Sequence, residues 1–110
     1  MTDLIDFSDW KRLDIRVGEI LAAEDHPNAD KLIVLRVDVG EVRQIVAGLR
    51  GYYEPEELIG KKAIVFVNLK PVKLRGIESQ GMVLAAVDPA TDVVALLTLD
   101  QDAPKGSRIE

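Results

Sequence analysis

The sequence predicts an all-β fold: a five-stranded Greek-key barrel with short helices and a C-terminal β extension. Three observations point to this fold class. Apolar and polar residues alternate along much of the chain, as in Ile33–Val39, which is the period of a strand with one buried face. Only two short segments have helical spacing or helix-ending residues. Glycines fall where a small barrel must turn corners, at Gly18, Gly48, Gly51 and Gly76.

The N-terminal part predicts one short helix and one long, bent strand. Phe7, Trp10 and Leu13 recur at helical spacing. The next segment alternates with the strand period, but its phase slips at Gly18 and resumes at Ile20 and Ala22. This slip indicates a β-bulge at the glycine, which would bend the strand.

The middle of the chain predicts a hairpin, a short helix and a further strand. Ile33–Val39 is the second strand, and a turn at Gly40 leads into the third. "YEPEELIG" is typical of a short helix, and the fourth strand, "KKAIVFVNL", follows it. A helix before the fourth of about five bent strands fits the oligonucleotide/oligosaccharide-binding (OB) barrel best.

The C-terminal part predicts the fifth strand, in "QGMVLAAV", and a strand-like extension beyond it, in "VALLTL". Residues 88–110 are more than a five-stranded barrel needs. Val93–Leu99 is too apolar to remain in water on a small domain, although one of its faces can cover the barrel. The other face is expected to pair two copies in a homodimer; the alternative is that the tail closes a monomer's core.

These elements predict one domain over residues 1–110. The barrel is expected at about residues 13–87, and the terminal elements 1–12 and 88–110 are expected to serve dimerisation. No apolar run approaches the ~18 residues that span a membrane, and the N-terminus lacks a secretion-signal pattern. We therefore expect a cytoplasmic protein.

The residue types that carry catalysis are scarce. The chain has no cysteine, which excludes disulfides and thiolate chemistry, and its one histidine, His26, is interpreted as a loop residue beside Pro27. Asp25 and Asn28 belong to a spacing that misses the calcium-loop pattern, and Ser79 lacks the G-x-S-x-G context of a nucleophile. We expect no enzymatic activity, no metal and no cofactor.

An unmixed basic stretch runs through residues 60–77. It holds five cations and no carboxylate in a chain of formal net charge −5: Lys61, Lys62, Lys70, Lys73 and Arg75. A solvated face normally mixes signs, so the stretch indicates a surface for a negatively charged ligand. Because salt screens charges over about 8 Å, this local sorting outweighs the acidic total. Consecutive strand residues point to opposite faces, so at most one of Lys61 and Lys62 serves that surface.

Several motifs occur in one order along the chain: "LDIRVGEI", "HPNADKL", "VDVGEVRQIVAGL" and "NLKPVKLRGIESQGM". Together they resemble the structure-specific tRNA-binding domain family. Its members include the C-terminal domain of methionyl-tRNA synthetases, stand-alone dimeric tRNA-binding proteins and the cytokine-like part of the multisynthetase accessory protein. The resemblance covers about residues 7–109 and implies an OB barrel that grips tRNA and has no chemistry of its own.

The resemblance also implies a set of site residues. The expected tRNA-binding residues are Asn68, Lys70, Lys73, Arg75, Ser79, Gln80, Met82, Lys31 and Arg43. The cations suit phosphate oxygens, and the Ser79 and Gln80 side chains offer uncharged donors and acceptors. For Met82 a core role is an equal alternative. For Lys31 and Arg43 the alternative is pairing with a strand carboxylate such as Asp38.

The kind of nucleic acid follows from the aromatic content. The basic stretch contains one aromatic residue, Phe66, whereas single-strand binders stack successive bases on aromatic side chains. Good phosphate capacity without a stacking platform favours folded RNA, here tRNA, read by shape. We expect a role beside a methionyl-tRNA synthetase or as a free-standing protein. The alternative is a protein-interaction or chaperone-like module that binds polypeptides.

Overall fold

The secondary structure consists mainly of short β-strands, as predicted. The computed structural model describes residues 3–110. In these residues the elements are α1 (Phe7–Lys11), β1 (Ile15–Asp25), β2 (Ile33–Asp38), β3 (Val42–Ala47), α2 (Pro55–Leu58), β4 (Lys62–Phe66), β5 (Val72–Leu74), β6 (Ile77–Ser79), β7 (Met82–Val83), β8 (Ala85–Asp88) and β9 (Val93–Leu96).

The main sheet has five antiparallel strands in the order β3-β2-β1-β4-β7. It curls into a nearly closed barrel, which confirms the predicted OB-like architecture. The long strand β1 is central because it pairs with β4 over Ile15–Glu19 and with β2 over Glu19–Asp25. Helix α2 lies before β4, the position in which an OB barrel commonly carries a helix.

β1 contains a bulge, as predicted, but its position at Gly18 is wrong, because the pairing with β4 is regular across Gly18. The register shift lies between Ile20 and Ala22. The apparent slip is a change of face: Ile15 and Val17 pack in one cluster, whereas Ile20 packs in the main core. Gly18 instead lies where the backbone of β1 closely approaches the Val37 side chain, since a Cβ there would lie 2.5 Å from the Cγ1 atom of Val37. No side chain fits without moving that neighbour.

The core of the barrel is built on the inward face of β2, as the alternation predicts. Ile33, Leu35, Val37 and Val39 are all buried. Val94 and Leu96 of β9 and the ring of Tyr53 pack against this core from outside the barrel strands. A second, smaller cluster is formed by Ile15, Val17 and Ile64, with Trp10, Leu13, Leu84, Leu99 and Ile109 around it.

The predicted fifth strand is divided in two. β7 pairs with β4, whereas β8 leaves the barrel and pairs with β9 as an outer hairpin. Between them the N–H of Leu84 donates to the carbonyl of Ile64, and Leu84 accepts from the N–H of Leu97. Leu84 is therefore the point at which the chain leaves the barrel.

The C-terminal segment lies along the part of β1 that β2 leaves open. The N–H of Val17 donates to Ser107 O at 2.8 Å, and the N–H of Ile109 donates to Ile15 O at 2.8 Å. The Lys62 ammonium contacts Asp102 at 3.0 Å and fastens the start of this segment. The tail thus covers its own barrel, and the pairing of two copies stays a prediction. In residues 3–110 no helix has the length and apolarity to cross a membrane.

Candidate nucleic-acid interface

The C-terminal part of the basic stretch folds into a hairpin, which was not predicted from the sequence. β5 pairs with β6, and the turn between them consists of Arg75 (φ 53°) and Gly76 (φ 89°). Two successive residues with positive φ are typical of a type I′ hairpin turn. The basic hairpin, residues 70–79, carries Lys73 opposite Glu78, so one carboxylate flanks its cations.

A second loop, residues 26–32, joins β1 to β2 and reaches the basic hairpin. His26 in this loop is 1% exposed. Its ring contacts the carbonyl of Leu74 at 3.0 Å through Nε2 and accepts a bond from the N–H of Asn28 at 2.9 Å through Nδ1. On the other side, Arg50 donates from its guanidinium to Ala29 O at 3.2 Å. The prediction of a loop position for His26 is correct, and its burial was not foreseen.

Four of the predicted site residues are exposed cations on these two loops: Lys31, Lys70, Lys73 and Arg75. Within residues 3–110 none of the four has a carboxylate partner within 4 Å, whereas five other cations do: Arg16, Arg43, Arg50, Lys62 and Lys105. Other exposed cations, such as Lys11 and Arg12, form no ion pair there either, so the two loops are distinguished by the clustering of their cations. An unpaired cation keeps its charge available for an anionic ligand.

Ser79 and Gln80 close the barrel between β3 and β7. Ser79 is 2% exposed; its hydroxyl accepts from the N–H of Val46 and donates to Gly81 O, both at 2.9 Å. The Gln80 side-chain oxygen accepts from the N–H of Gln44, whose carbonyl receives the Gln80 N–H at 2.7 Å. These bonds replace a regular strand ladder at the seam.

Asn68 and Arg43 hold backbone at the same end of the barrel. The Asn68 amide accepts from the N–H of Asp14 and donates to Arg12 O at 2.7 Å. Arg43 donates to Val67 O at 2.6 Å and pairs with Glu41 rather than with the predicted Asp38.

The carboxylate of Asp14 lies beside this anchor. Arg16, at 2.8 Å, holds the pKa of Asp14 below its usual value through their hydrogen bond. The lowered pKa favours the ionised form of Asp14, whose own backbone N–H donates to the Asn68 side chain.

Met82 lies on an apolar groove between the basic hairpin and the β8–β9 hairpin. The groove has a volume of about 360 Å³ and no charged residue lines it; its walls include Leu69, Val72, Leu74, Met82, Val87 and Val94. Met82 is half-exposed at its edge, so it is not a core residue and its side chain is accessible to a ligand.

The two lysines that open β4 have separate environments. Lys62 reaches Asp102 and Ala103 O, whereas the Lys61 ammonium lies 6.0 Å from the centre of the Tyr53 ring. Lys62 is therefore used within the fold. The prediction that at most one of them is available for a ligand agrees with this arrangement.

A family model described as "Putative tRNA binding domain" matches residues 15–108. The chain belongs to the tRNA-binding domain family. The match includes every element from β1 to the segment that returns along β1, and so all of the residues discussed above as candidate ligands or anchors.

The curated relatives of this chain are larger proteins, and the chain matches only a part of each. The chain is 53% identical over 108 residues to the methionine–tRNA ligase of Thermococcus kodakarensis, covering 97% of this chain and 14% of the ligase. It is 54% identical over 106 residues to that of Methanocaldococcus jannaschii, covering 96% and 16%. The chain thus spans about a sixth of these ligases' length or less.

Solved structures of similar size share the whole domain. A methionyl-tRNA-synthetase-related protein of Pyrococcus horikoshii is 40% identical with a TM-score of 0.91, covering 99% of this chain and 100% of that one. The chaperone CsaA of Bacillus anthracis is 34% identical with a TM-score of 0.88, covering 98% and 100%. One family fold is therefore found both in a synthetase-related protein and in proteins named as chaperones.

Proposed function

We propose that this chain is a non-catalytic domain that binds folded tRNA by its shape through the basic hairpin and loop 26–32. The observation that carries the proposal is the set of four exposed, unpaired cations on these two loops within residues 3–110: Lys31, Lys70, Lys73 and Arg75. In OB barrels the corresponding loops flank the ligand-binding face. Membership of the tRNA-binding domain family supports a nucleic acid as the anion.

The backbone of Arg75 adds independent support. Its φ of 53° is in the left-handed region, which costs most L-residues about 1–2 kcal/mol and which Asn or Gly adopts more readily. The other non-glycine residue with positive φ, Asp92, is of a type that tolerates this conformation. An arginine at a strained hairpin tip supports a binding role for its side chain.

Within the predicted site set, we assign two roles. The four cations and Met82 face the tRNA. Asn68, Ser79, Gln80 and Arg43 already use their polar groups on backbone partners, so they act as anchors that hold the hairpin and the barrel end in place.

The relatives support a proposal for the cellular setting. Methionine–tRNA ligases contain this domain as a small part of their length, so we propose that the chain assists a methionyl-tRNA synthetase in the cytoplasm, as its domain or its subunit, or acts free-standing. We further propose a homodimer, because the exposed apolar N-terminal residues remain to be covered.

The test of tRNA binding removes two cations without disturbing the hairpin. Glutamine is used instead of glutamate because a new glutamate at Lys73 would oppose Glu78. The variant Lys73→Gln with Arg75→Gln should weaken tRNA binding, and the log–log salt slope, roughly −2 per protomer for about three phosphates, should become flatter. The matched control, Lys11→Gln with Arg12→Gln, removes the same charge from the N-terminal segment. Equal effects of the two variants would reject the hairpin as the site.

Recognition of shape is tested by competition. Intact tRNA should displace labelled tRNA better than an equal mass of heat-denatured tRNA or single-stranded oligonucleotide, because the site lacks an aromatic stacking platform. Tighter binding of a pyrimidine single strand would contradict shape recognition.

A second function, polypeptide binding, is favoured by the apolar groove beside Met82. The groove has uncharged walls, and two similar structures are named as CsaA chaperones. An unfolded polypeptide that binds to the wild-type protein and not to the Val72→Asp variant would favour this function. Loss of tRNA binding only in the cation variant would show that the two surfaces work separately.

A further inference from the structure

His26 is a buried polar side chain with two partners in different parts of the chain. The N–H of Asn28, in the same loop, donates to Nδ1 at 2.9 Å. Because Nδ1 accepts, the ring proton lies on Nε2 and is donated to Leu74 O at 3.0 Å. One bond therefore shapes loop 26–32, and the other joins that loop to the basic hairpin.

The bond to Leu74 reaches the outer part of the hairpin. The base of the hairpin is fixed to β3, since Gln44 donates to Glu78 O at 2.8 Å and the Ser79 hydroxyl accepts from Val46. Among residues 3–110, the bond from His26 is the one hydrogen bond that connects residues 73–77 to a part of the domain outside the hairpin. A two-stranded hairpin is at best marginally stable by itself.

Both loops that this bond joins carry cations assigned to tRNA. Lys31 is in loop 26–32, and Lys73 and Arg75 flank Leu74 on the hairpin. If the loops moved independently, tRNA would have to order them against each other on binding, which costs conformational entropy. A bond that fixes the loops beforehand lowers that cost.

We infer that His26 is a positioning residue: its Nε2–H bond to Leu74 O holds the hairpin tip against loop 26–32, so that Lys31, Lys73 and Arg75 meet one tRNA surface. This inference rests on the proposed tRNA-binding function and assigns a determinant of affinity that touches no ligand itself.

Two substitutions separate the two bonds of the ring. In His26→Asn the amide can replace Nδ1 and accept from Asn28, but it is too short to reach Leu74. In His26→Gln the amide nitrogen can replace Nε2 and donate to Leu74 O. The glutamine variant should bind tRNA within about twofold of wild type. The asparagine variant should bind about three- to tenfold more weakly, the scale of one lost hydrogen bond.

The readout that separates positioning from general destabilisation is tRNA affinity compared with the urea midpoint. A structural role alone would lower the midpoint without a difference in affinity between the folded variants. Equal tRNA affinity of the asparagine variant and wild type, or equal losses in both variants, would overturn the inference.

A measurement on the wild-type protein covers the case in which a variant fails to fold. The Nε2–H proton of His26, which is donated to Leu74 O, should be protected from exchange with solvent in the free protein, before tRNA is added; rapid exchange of this proton in the free protein would overturn the inference. The Lys73→Gln, Arg75→Gln variant separates the two hypotheses. If it binds tRNA normally, the proposed function fails. If it binds weakly while both His26 variants match wild type, only the inference about His26 fails.

Discussion

The hydroxyl group of Ser79 makes two buried hydrogen bonds, so a substitution at this residue should affect stability more than tRNA affinity. Ser79→Ala would leave the N–H of Val46 and the carbonyl of Gly81 without this partner at the barrel seam. We expect a loss of about 1–3 kcal/mol in the free energy of unfolding, measured with urea. The affinity of the folded variant for tRNA should stay within about twofold of wild type.

The control for this change is Ser8→Ala, at an exposed hydroxyl in α1. It should alter stability by no more than about 0.5 kcal/mol. A stable Ser79→Ala variant with tRNA affinity reduced about tenfold would instead return Ser79 to the ligand-binding set and remove it from the seam.

Gly18 shows the same principle for packing. In Gly18→Ala the new methyl group would lie 2.5 Å from the Val37 Cγ1 and 3.0 Å from the Val65 Cγ2. We expect the overpacked core to cost about 1–3 kcal/mol in thermal or urea unfolding. Gly48→Ala is the matched control, because a methyl group there meets nothing within 4 Å. Similar losses in the two variants would mean that the core yields easily at Gly18.

At the scale of elements, the basic hairpin should show a trade-off between the stability of the domain and its affinity for tRNA. Arg75→Asn should retain the turn, since asparagine tolerates positive φ, and raise the unfolding free energy by up to about 1 kcal/mol. The same change should weaken tRNA binding. Lys73→Gln removes an equal charge in extended backbone, so it should weaken binding without the gain in stability. A destabilised Arg75→Asn variant would contradict the strain at the tip.

The elements also show where sequence patterns suffice. The alternation in Ile33–Val39 identified four buried residues correctly, because one face of a strand in a barrel must be apolar. The alternation pattern failed in β1, because this strand packs against two separate hydrophobic clusters. Its buried face changes between Val17 and Ile20, and this change was interpreted as a bulge at Gly18.

The basic hairpin could have been predicted from Arg75-Gly76 between two alternating triplets. The buried partners of Ser79 and His26 could not, because they lie far away in sequence, on Val46 and Leu74. The exposed cations of the candidate site were within reach of sequence reading. The anchors that hold them were visible only in the folded chain.

At the scale of the whole molecule, exposed apolar residues near the N-terminus support a symmetric pair. Leu4, Ile5 and Phe7 are 96%, 73% and 71% exposed. We expect sedimentation at micromolar concentration to give a homodimer, and Ile5→Asp with Phe7→Asp to give a monomer. Val42→Asp, at a half-exposed valine of β3, should leave the dimer intact. A wild-type species at the monomer mass of 12.1 kDa would contradict this expectation.

The C-terminal segment that lies on β1 has a consequence for how the domain is made. Within this domain β1 is the first strand to be synthesised, yet Val17 donates to Ser107 and Ile15 accepts from Ile109, which are synthesised about 90 residues later. Until those residues arrive, part of β1 presents unpaired N–H and carbonyl groups, which are open to pairing with another nascent chain. Contacts between segments so far apart in sequence also form slowly, because the chain loses entropy in bringing them together before any stabilising hydrogen bond forms. Residues 107–109 of the domain therefore protect the strand that is synthesised first within it.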